Sequence, residues 1–508
     1  MKQRTVRMLA GLFACLLCLG LLAACSGDGE PPEAATGEPA GDSAGGTTGP
    51  EEPGYETDEN GYIKDTIPDT TYGGAVLQLL CWEEARDNVA PADSGGGSDE
   101  VQEQVYLRLL RVESRLAVQL DVSTVPGNAQ NRDTFLAQAR LANDAGYDLI
   151  CSFSLHPSVL AQEGLLYNLN NLTYPELGMP WWPESITEWE QYGGLYFIAS
   201  NSAINSFNSM EVMFSNSELF ANQGLSDPID DVLAGDWTVE QMLEYVRAFD
   251  VDVDDESRRI YGLVVDDHSR MDSFYYSAGF HCTRNNSDGV AELAFTSASE
   301  LQRITSYIDS LFSVFRTDAV DIARDTIELM QQHRTALMVS SLGNITRMDD
   351  TSYAPLPMPK LDASQESYMT IQNNGYDVWC IPTSAEDPEL AGVVIEAIAS
   401  EDYRQLAPFY FEKYMKLRYS SDEVCEQMFE LVRSSVVYDF GRISQWNLDL
   451  AVEGPWRSSF YDYTLSAKYP SNSFATEVEN NRTALEVRLL ELLASYQRFS
   501  YQGAQSAE

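Results

Sequence analysis

The chain has 508 residues, 44% of them hydrophobic, and a formal net charge of −46 from 78 acidic against 32 basic side chains. That length holds two or three domain-sized cores, and that apolar fraction suits a globular protein. So acidic a surface repels phosphate backbones and anionic lipid heads, which argues against nucleic-acid binding and against docking on a membrane surface.

The N-terminus opens with Lys2, Arg4 and Arg7, then an apolar run from Met8 to Leu22, then Ala23-Ala24 ahead of Cys25. The order predicts an export signal over residues 1–24. Its apolar run is shorter than the roughly 20 residues of a membrane-spanning helix. Leu22-Ala23-Ala24-Cys25 resembles the lipobox of bacterial lipoproteins, which implies lipidation of Cys25 and a protein held on the outer face of the cell membrane by that anchor alone. From Ser26 to about Asn60 the chain is Gly, Pro, Ala, Thr and acid. It buries too little to fold, so residues 25–70 are read as the anchor cysteine and an acidic tether. Cys81, Cys151, Cys282, Cys380 and Cys425 remain, an odd set without metal-type spacing. They leave room for one disulfide but not for a disulfide framework.

The folded part starts at Ala75–Trp82, a short apolar run that predicts a buried strand. A glycine-rich loop, Ser94 to Ser98, precedes a helix with Val101, Val105, Leu109, Val112 and Leu116 on one face. Val118, Leu120, Val122 and Thr124 alternate as in a strand, Asp133 to Ala142 reads as helix, and Asp148 to Phe153 as a second buried strand. Strand, helix, strand, helix, strand implies a parallel sheet, whose ligands gather beyond the carboxyl ends of its strands. Thr238 and Ser297 open capping boxes, and Asp387-Pro388 supplies an N-cap with an N1 proline. The last hundred residues are helix-rich, most clearly from Thr476 to Tyr496.

Several blocks in sequence resemble the bacterial extracellular solute-binding lipoproteins of ABC importers, of the family 1 sugar-binding type related to maltodextrin-binding proteins. They are Pro180-Trp181-Trp182-Pro183 with Gly193 to Phe197, Glu211 to Asn216, Asp236-Trp237-Thr238, Tyr261-Gly262-Leu263, Pro355 to Lys360 with Asp362, Gln365 and Tyr368, and Asp387 to Gly392. Ser217, Asn201 after Ser200, and Arg334-Thr335 before Ala336-Leu337 depart from the family pattern. The resemblance implies an α/β, two-lobed periplasmic-binding-protein type II fold with a helix-rich C-terminal part. Lobe 1 is expected over 71–208 and 353–402, and lobe 2 over 209–352 and 403–508. It also implies a monomer that closes on one solute, a mono- or oligosaccharide, and passes it to ABC transporter permease subunits without cofactor or catalysis.

A sugar offers hydroxyls to planar polar partners and a flat C–H face to aromatics. Residues at strand ends and crossings are therefore expected to bind it: Trp82 and Glu83, Ser152 and Phe153, Asn201, Tyr275 and Tyr276, Ser341, Asn374 and Tyr376, with Trp446 and Trp456 from the C-terminal part. Trp181, Trp182 and Trp237, beside prolines or a helix start, read as packing residues. The acidic run Asp250 to Glu256 lacks the glycine and the closing Glu of an EF-hand. The four histidines are not at zinc spacing, and no P-loop, dinucleotide fingerprint or nucleophile elbow is present, so no metal or catalytic residue is expected. A surface glycan hydrolase, needing two carboxylates at hydrolytic separation, and a ligand sensor for a two-component system are the other classes open to such a chain.

Overall fold

The structure, a computed structural model, describes residues 55–93, 100–322, 326–348, 353–415, 422–448, 454–457 and 472–506. The leader, Cys25, most of the tether and the glycine-rich stretch 94–98 lie outside the described residues.

The first sheet is built from β1 (Ala75–Trp82), β2 (Val118–Val125) and β3 (Leu149–Phe153). β1 runs parallel to both neighbours, Trp82 opposite Val125 and Cys81 opposite Cys151. Apart from Gln78 the strand β1 is apolar, and it is buried from Leu79 to Trp82 as an inner strand of a covered sheet is. β2, at the edge, alternates buried Val118 and Leu120 with exposed Gln119 and Asp121. The helix Glu100–Leu116 carries β1 over to β2 and buries Val101, Val105, Leu109, Val112 and Leu116, the stripe predicted for it.

The second sheet contains β4 (Glu211–Asn216), β5 (Tyr261–Val265), β8 (Val320–Ile322), β9 (Thr335–Ser341) and β10 (Tyr353–Leu356), in the order β10-β4-β9-β5-β8. A hairpin of β6 (Thr283–Asn285) and β7 (Ala291–Leu293) stands beside it. The chain then returns to the first sheet as β11 (Asp377–Cys380), antiparallel to β3. Two α/β lobes result. The return comes later than expected at 353, because Tyr353–Leu356 pairs antiparallel with β4 in the second sheet. Asp402, the last residue expected in the first lobe, faces Arg108 of that lobe at 3.4 Å, and the final helix Phe474–Ser506, expected in the second lobe, packs on helices of both.

Three crossing segments join the lobes side by side. Glu211 N donates to Ile371 O (2.8 Å) and Asn373 N to Ser209 O (2.7 Å), which binds the first crossing to the second. Thr370 N donates to Ser435 O (2.8 Å) and Val437 N to Thr370 O (2.9 Å), which binds the second to the third.

Local chemistry fixes the helices as expected. Thr238 accepts from Gln241 N, Ser297 from Glu300 N and Asp387 from Leu390 N. Trp181 and Trp182 are buried, and each donates its indole N–H to Glu396 at 3.0 Å, while Trp237 donates to Pro357 O at 3.0 Å. Burial pushes the Glu396 carboxyl up to about 7. Cys81, Cys151, Cys282 and Cys380 are free thiols in the core.

Asp439 locks the third crossing to the second lobe. Its buried carboxylate accepts from Cys282 N (2.7 Å) and from the Thr283 hydroxyl (3.2 Å), and also caps the turn at Arg442 N (3.0 Å). Asp439→Ala strands these buried donors and is expected to cost about 3 kcal/mol in urea unfolding with an unchanged m-value. A loss below about 0.5 kcal/mol, the range of neutral surface changes, contradicts that role.

Candidate functional site

Between the lobes lies a cavity of about 510 Å³. The first lobe contributes Asn88 and Val101, the crossing Ile204 and Asn208, and the second lobe Arg270, Ser341, Gly343, Asn344 and Thr346, with Tyr410 and Tyr414 alongside. Of the residues named from sequence, Ser341 lines it, at the carboxyl end of β9 and opposite Glu211 of β4.

The second-lobe wall is fixed by charge. Arg270 follows the end of β5 and holds two carboxylates, bonding to Glu211 and, at 2.8 Å, to Asp266. Burial pushes Glu211 up to about 7 against the pull of Arg270. Asp266 also accepts from Ser340 and, at 3.1 Å, from Asn344. The guanidinium, which itself lines the cavity, is thus held by two carboxylates, and around it the wall offers the amides and hydroxyls of Asn88, Asn208, Ser341, Asn344 and Thr346.

Tyr410 and Tyr414 stand on an irregular helix. Pro408 has no N–H to give, and the ladder on both sides, Asp402–Leu406 and Phe411–Met415, widens to π-type bonding. The Tyr410 hydroxyl is buried and makes no hydrogen bond.

On the first-lobe side a buried polar relay leads from the cavity to an aromatic cluster. The Asn88 amide donates to Asn205 (2.7 Å), Asn205 donates to Asp377 (3.0 Å), and the Trp82 indole N–H donates to Asp377 (2.9 Å). Trp82 meets Phe153 edge-on at 5.6 Å, and Phe153 stacks on Trp446 at 5.9 Å with 21° between planes. The predicted Trp82, Phe153 and Trp446 are therefore brought together at the carboxyl edge of the first sheet. Gly127 permits this: a Cβ there would lie 2.7 Å from Trp82 Cβ and from the Phe135 ring.

The other predicted residues are placed differently. Glu83 is exposed at the end of β1, and Ser152 is fully buried with an unbonded hydroxyl. Asn201 is buried in the crossing against Ser202 and Arg433. Asn374 gives its carbonyl to the Ser154 hydroxyl (2.8 Å), and Tyr376 is buried beside Tyr438 at 5.9 Å. Tyr275, Tyr276 and Trp456 form a separate packed cluster in the second lobe. Tyr275 donates to His281 O (3.0 Å) and Trp456 to Met271 O (3.2 Å), while the Tyr276 hydroxyl meets Cys282 Sγ at 3.0 Å. The expected aromatic shelf there is core, because burial of these rings uses their polar ends inside the protein.

Asn88, Asn205, Asn208, Arg270, Tyr410 and Asp377 were not singled out from sequence. The strand-end rule that pointed to Trp82 applies equally to Asp266 and Arg270 after β5. No local pattern marks Asp377 or Tyr410.

This two-lobed fold is shared with solved structures of a sugar transporter protein and a sugar-binding protein. A sugar transporter protein from Rhizobium etli, in an open conformation, has a TM-score of 0.52 at 10% identity, over 84% of this chain and 99% of that one. The cyclic α-maltosyl-1,6-maltose binding protein from Arthrobacter globiformis has a TM-score of 0.51 at 13% identity, over 84% of this chain and 100% of that one. At these identities the likeness is one of fold. No protein-family model matches the sequence, and no curated protein matches it.

Asp377 supplies a pH test of the relay. Burial pushes its carboxyl up to about 6, partly offset by the bonds from Asn205 and Trp82. A raised carboxyl stabilises the fold below its unfolded pKa and loses that contribution as pH rises through about 6. Asp377→Asn does not titrate, so its unfolding free energy is expected to gain on the wild type by roughly 2 kcal/mol between pH 4 and 7. A difference independent of pH contradicts the burial of that charge.

Proposed function

We propose that this chain captures a mono- or oligosaccharide between its lobes and delivers it to an ABC transporter permease, without catalysing a reaction. The observation that carries this reading is the cavity between the two sheets, lined by Asn88, Asn208, Ser341, Asn344, Thr346 and two tyrosines. Neutral amides and hydroxyls supply the directional donors and acceptors that sugar hydroxyls need. Trp446, half-buried with Phe153 stacked on it and the Arg132 guanidinium over its ring, leaves the exposed part of its indole for a pyranose to pack on. The described residues that line the cavity include no carboxylate, whereas glycoside cleavage takes a pair of them across the scissile bond. The neighbours are binding proteins for sugars, which favours capture over hydrolysis.

The reading extends to the N-terminus. The lipobox-like Leu22-Ala23-Ala24-Cys25 is taken as the lipidation site, residues 1–24 as the signal, and the acidic segment after Cys25 as the tether. Such an anchor keeps a monomeric receptor near its permease on the outer face of the membrane.

A thermal-shift screen tests the proposal with neutral and acidic mono- and oligosaccharides beside amino acids, peptides and polyamines. A saccharide at 100 times its Kd is expected to add about 2.7 kcal/mol of stability. Trp446→Ala is expected to weaken that saccharide about tenfold, or about 1.4 kcal/mol, in calorimetry. Stabilisation by amino acids, peptides or polyamines with none by any saccharide would sink the proposal.

A further inference from the structure

The aromatic cluster also holds two polar side chains, Arg132 and His156. Arg132 begins the helix Arg132–Ala139 just beyond the carboxyl end of β2, and its guanidinium carbon lies 4.9 Å over the ring of Trp446. Its Nε is buried without a hydrogen bond, and among the described residues it holds no carboxylate. Other arginines around the crossings are all matched: Arg108 with Asp402, Arg270 with Glu211 and Asp266, Arg433 with Glu430, and Arg442 with Asp272. In a chain with 78 acids to 32 bases, an unmatched guanidinium at a ligand edge is conspicuous. The nearby Glu84 does not answer it, since that carboxylate accepts from Gly127 N (2.9 Å) and Asn128 N (3.3 Å).

His156 stands next to it. The imidazole is 0% exposed, stacks on Phe135 at 4.5 Å and meets Trp446 at 5.2 Å, and neither ring nitrogen has a hydrogen-bond partner. Burial, with the charge of Arg132, pulls it down to about 3, so the ring is neutral and has one N–H to give. A buried donor left unmade is destabilising, and a ligand acceptor relieves that cost. A guanidinium over an indole keeps its N–H groups at its rim, where an oxyanion takes two at once.

We infer that Arg132 and His156, over Trp446, read an anionic substituent on the captured saccharide, the carboxylate of a uronic acid or a sulfate ester. The inference rests on the saccharide reading and narrows it to acidic glycans. The amides and hydroxyls of the cavity wall take the sugar's hydroxyls, and Arg132 with His156, beside Trp446, takes the charge.

The test is calorimetry on the mature chain with uronic-acid oligosaccharides of the gluco, galacto and manno series, sulfated galactan oligosaccharides, and neutral counterparts of each. An acidic saccharide is expected to bind at least tenfold tighter than its neutral counterpart, and the arm that does so assigns carboxylate or sulfate. Arg132→Gln is expected to erase that preference, since the charge-assisted bidentate pair is lost. Arg132→Lys, which keeps the charge but not the planar fork, is expected to retain part of the preference and guards against a folding defect in the first variant. Neutral saccharides binding as tightly as acidic ones, or a preference untouched in a natively melting Arg132→Gln variant, overturns the inference and leaves the saccharide reading standing. Binding of no saccharide at all removes both.

Discussion

Everything in this molecule hangs on three chains lying side by side between two sheets. Backbone bonds from Glu211 to Ile371, from Asn373 to Ser209, and from Thr370 to Ser435 and back to Val437 hold the crossings in one narrow ribbon. Each lobe keeps its own sheet, while one continuous apolar core and the helix Phe474–Ser506 run across both lobes beside the ribbon. Its position also decides where the cavity falls, because the crossings run between the carboxyl edge of β1 and β3 and the edge where Glu211 faces Ser341.

The charged groups near that edge are arranged to cancel. Arg270 is clamped between Glu211 and Asp266, and Asp266 in turn takes up Ser340 and Asn344. Asp377 spends its charge on Trp82 and Asn205. Buried charges are tolerated only when so partnered, and the result is a rigid frame that presents neutral donors and acceptors. Pre-formed polar walls lower the ordering cost of binding, which is the larger part of what a small-solute receptor must overcome. Arg132 and His156 break the pattern, and for that reason they are read as ligand contacts rather than frame.

Much of the fold was legible because its signals are local. The alternation along Val118–Val125, the one-sided stripe of Glu100–Leu116, and the caps at Thr238, Ser297 and Asp387 each express a period or a hydrogen bond within a few residues. Trp181, Trp182 and Trp237 read correctly as packing residues for the same reason. The return to the first sheet was misplaced at 353, since the run Tyr353–Leu356 is apolar in either sheet and only its pairing with β4 decides. The site was half legible. Strand-end reasoning pointed to Trp82, Phe153 and Ser341, and Ser341 lines the cavity while Trp82 and Phe153 meet at the carboxyl edge of the first sheet. It also pointed to Tyr275 and Tyr276, as the family resemblance did to Trp456, and the polar ends of all three meet partners inside the second lobe. Asp377 lies 295 residues from Trp82, and no periodicity links them. Tyr410 reaches the cavity through a helix distorted around Pro408, which a regular 3.6-residue reading does not anticipate.

The central claim is that the two lobes close on a solute, and a distance between them reports this most directly. Spin labels at Asp121 on the exposed side of β2 and at Leu233, 44% exposed in the second lobe, sit clear of the cavity residues. Pulsed electron resonance on the labelled chain, with and without a saccharide that stabilises it, is expected to show the interlabel distribution narrowing and shifting by several ångströms as the lobes close. A distribution identical with and without the bound saccharide would contradict capture by closure about the crossing ribbon.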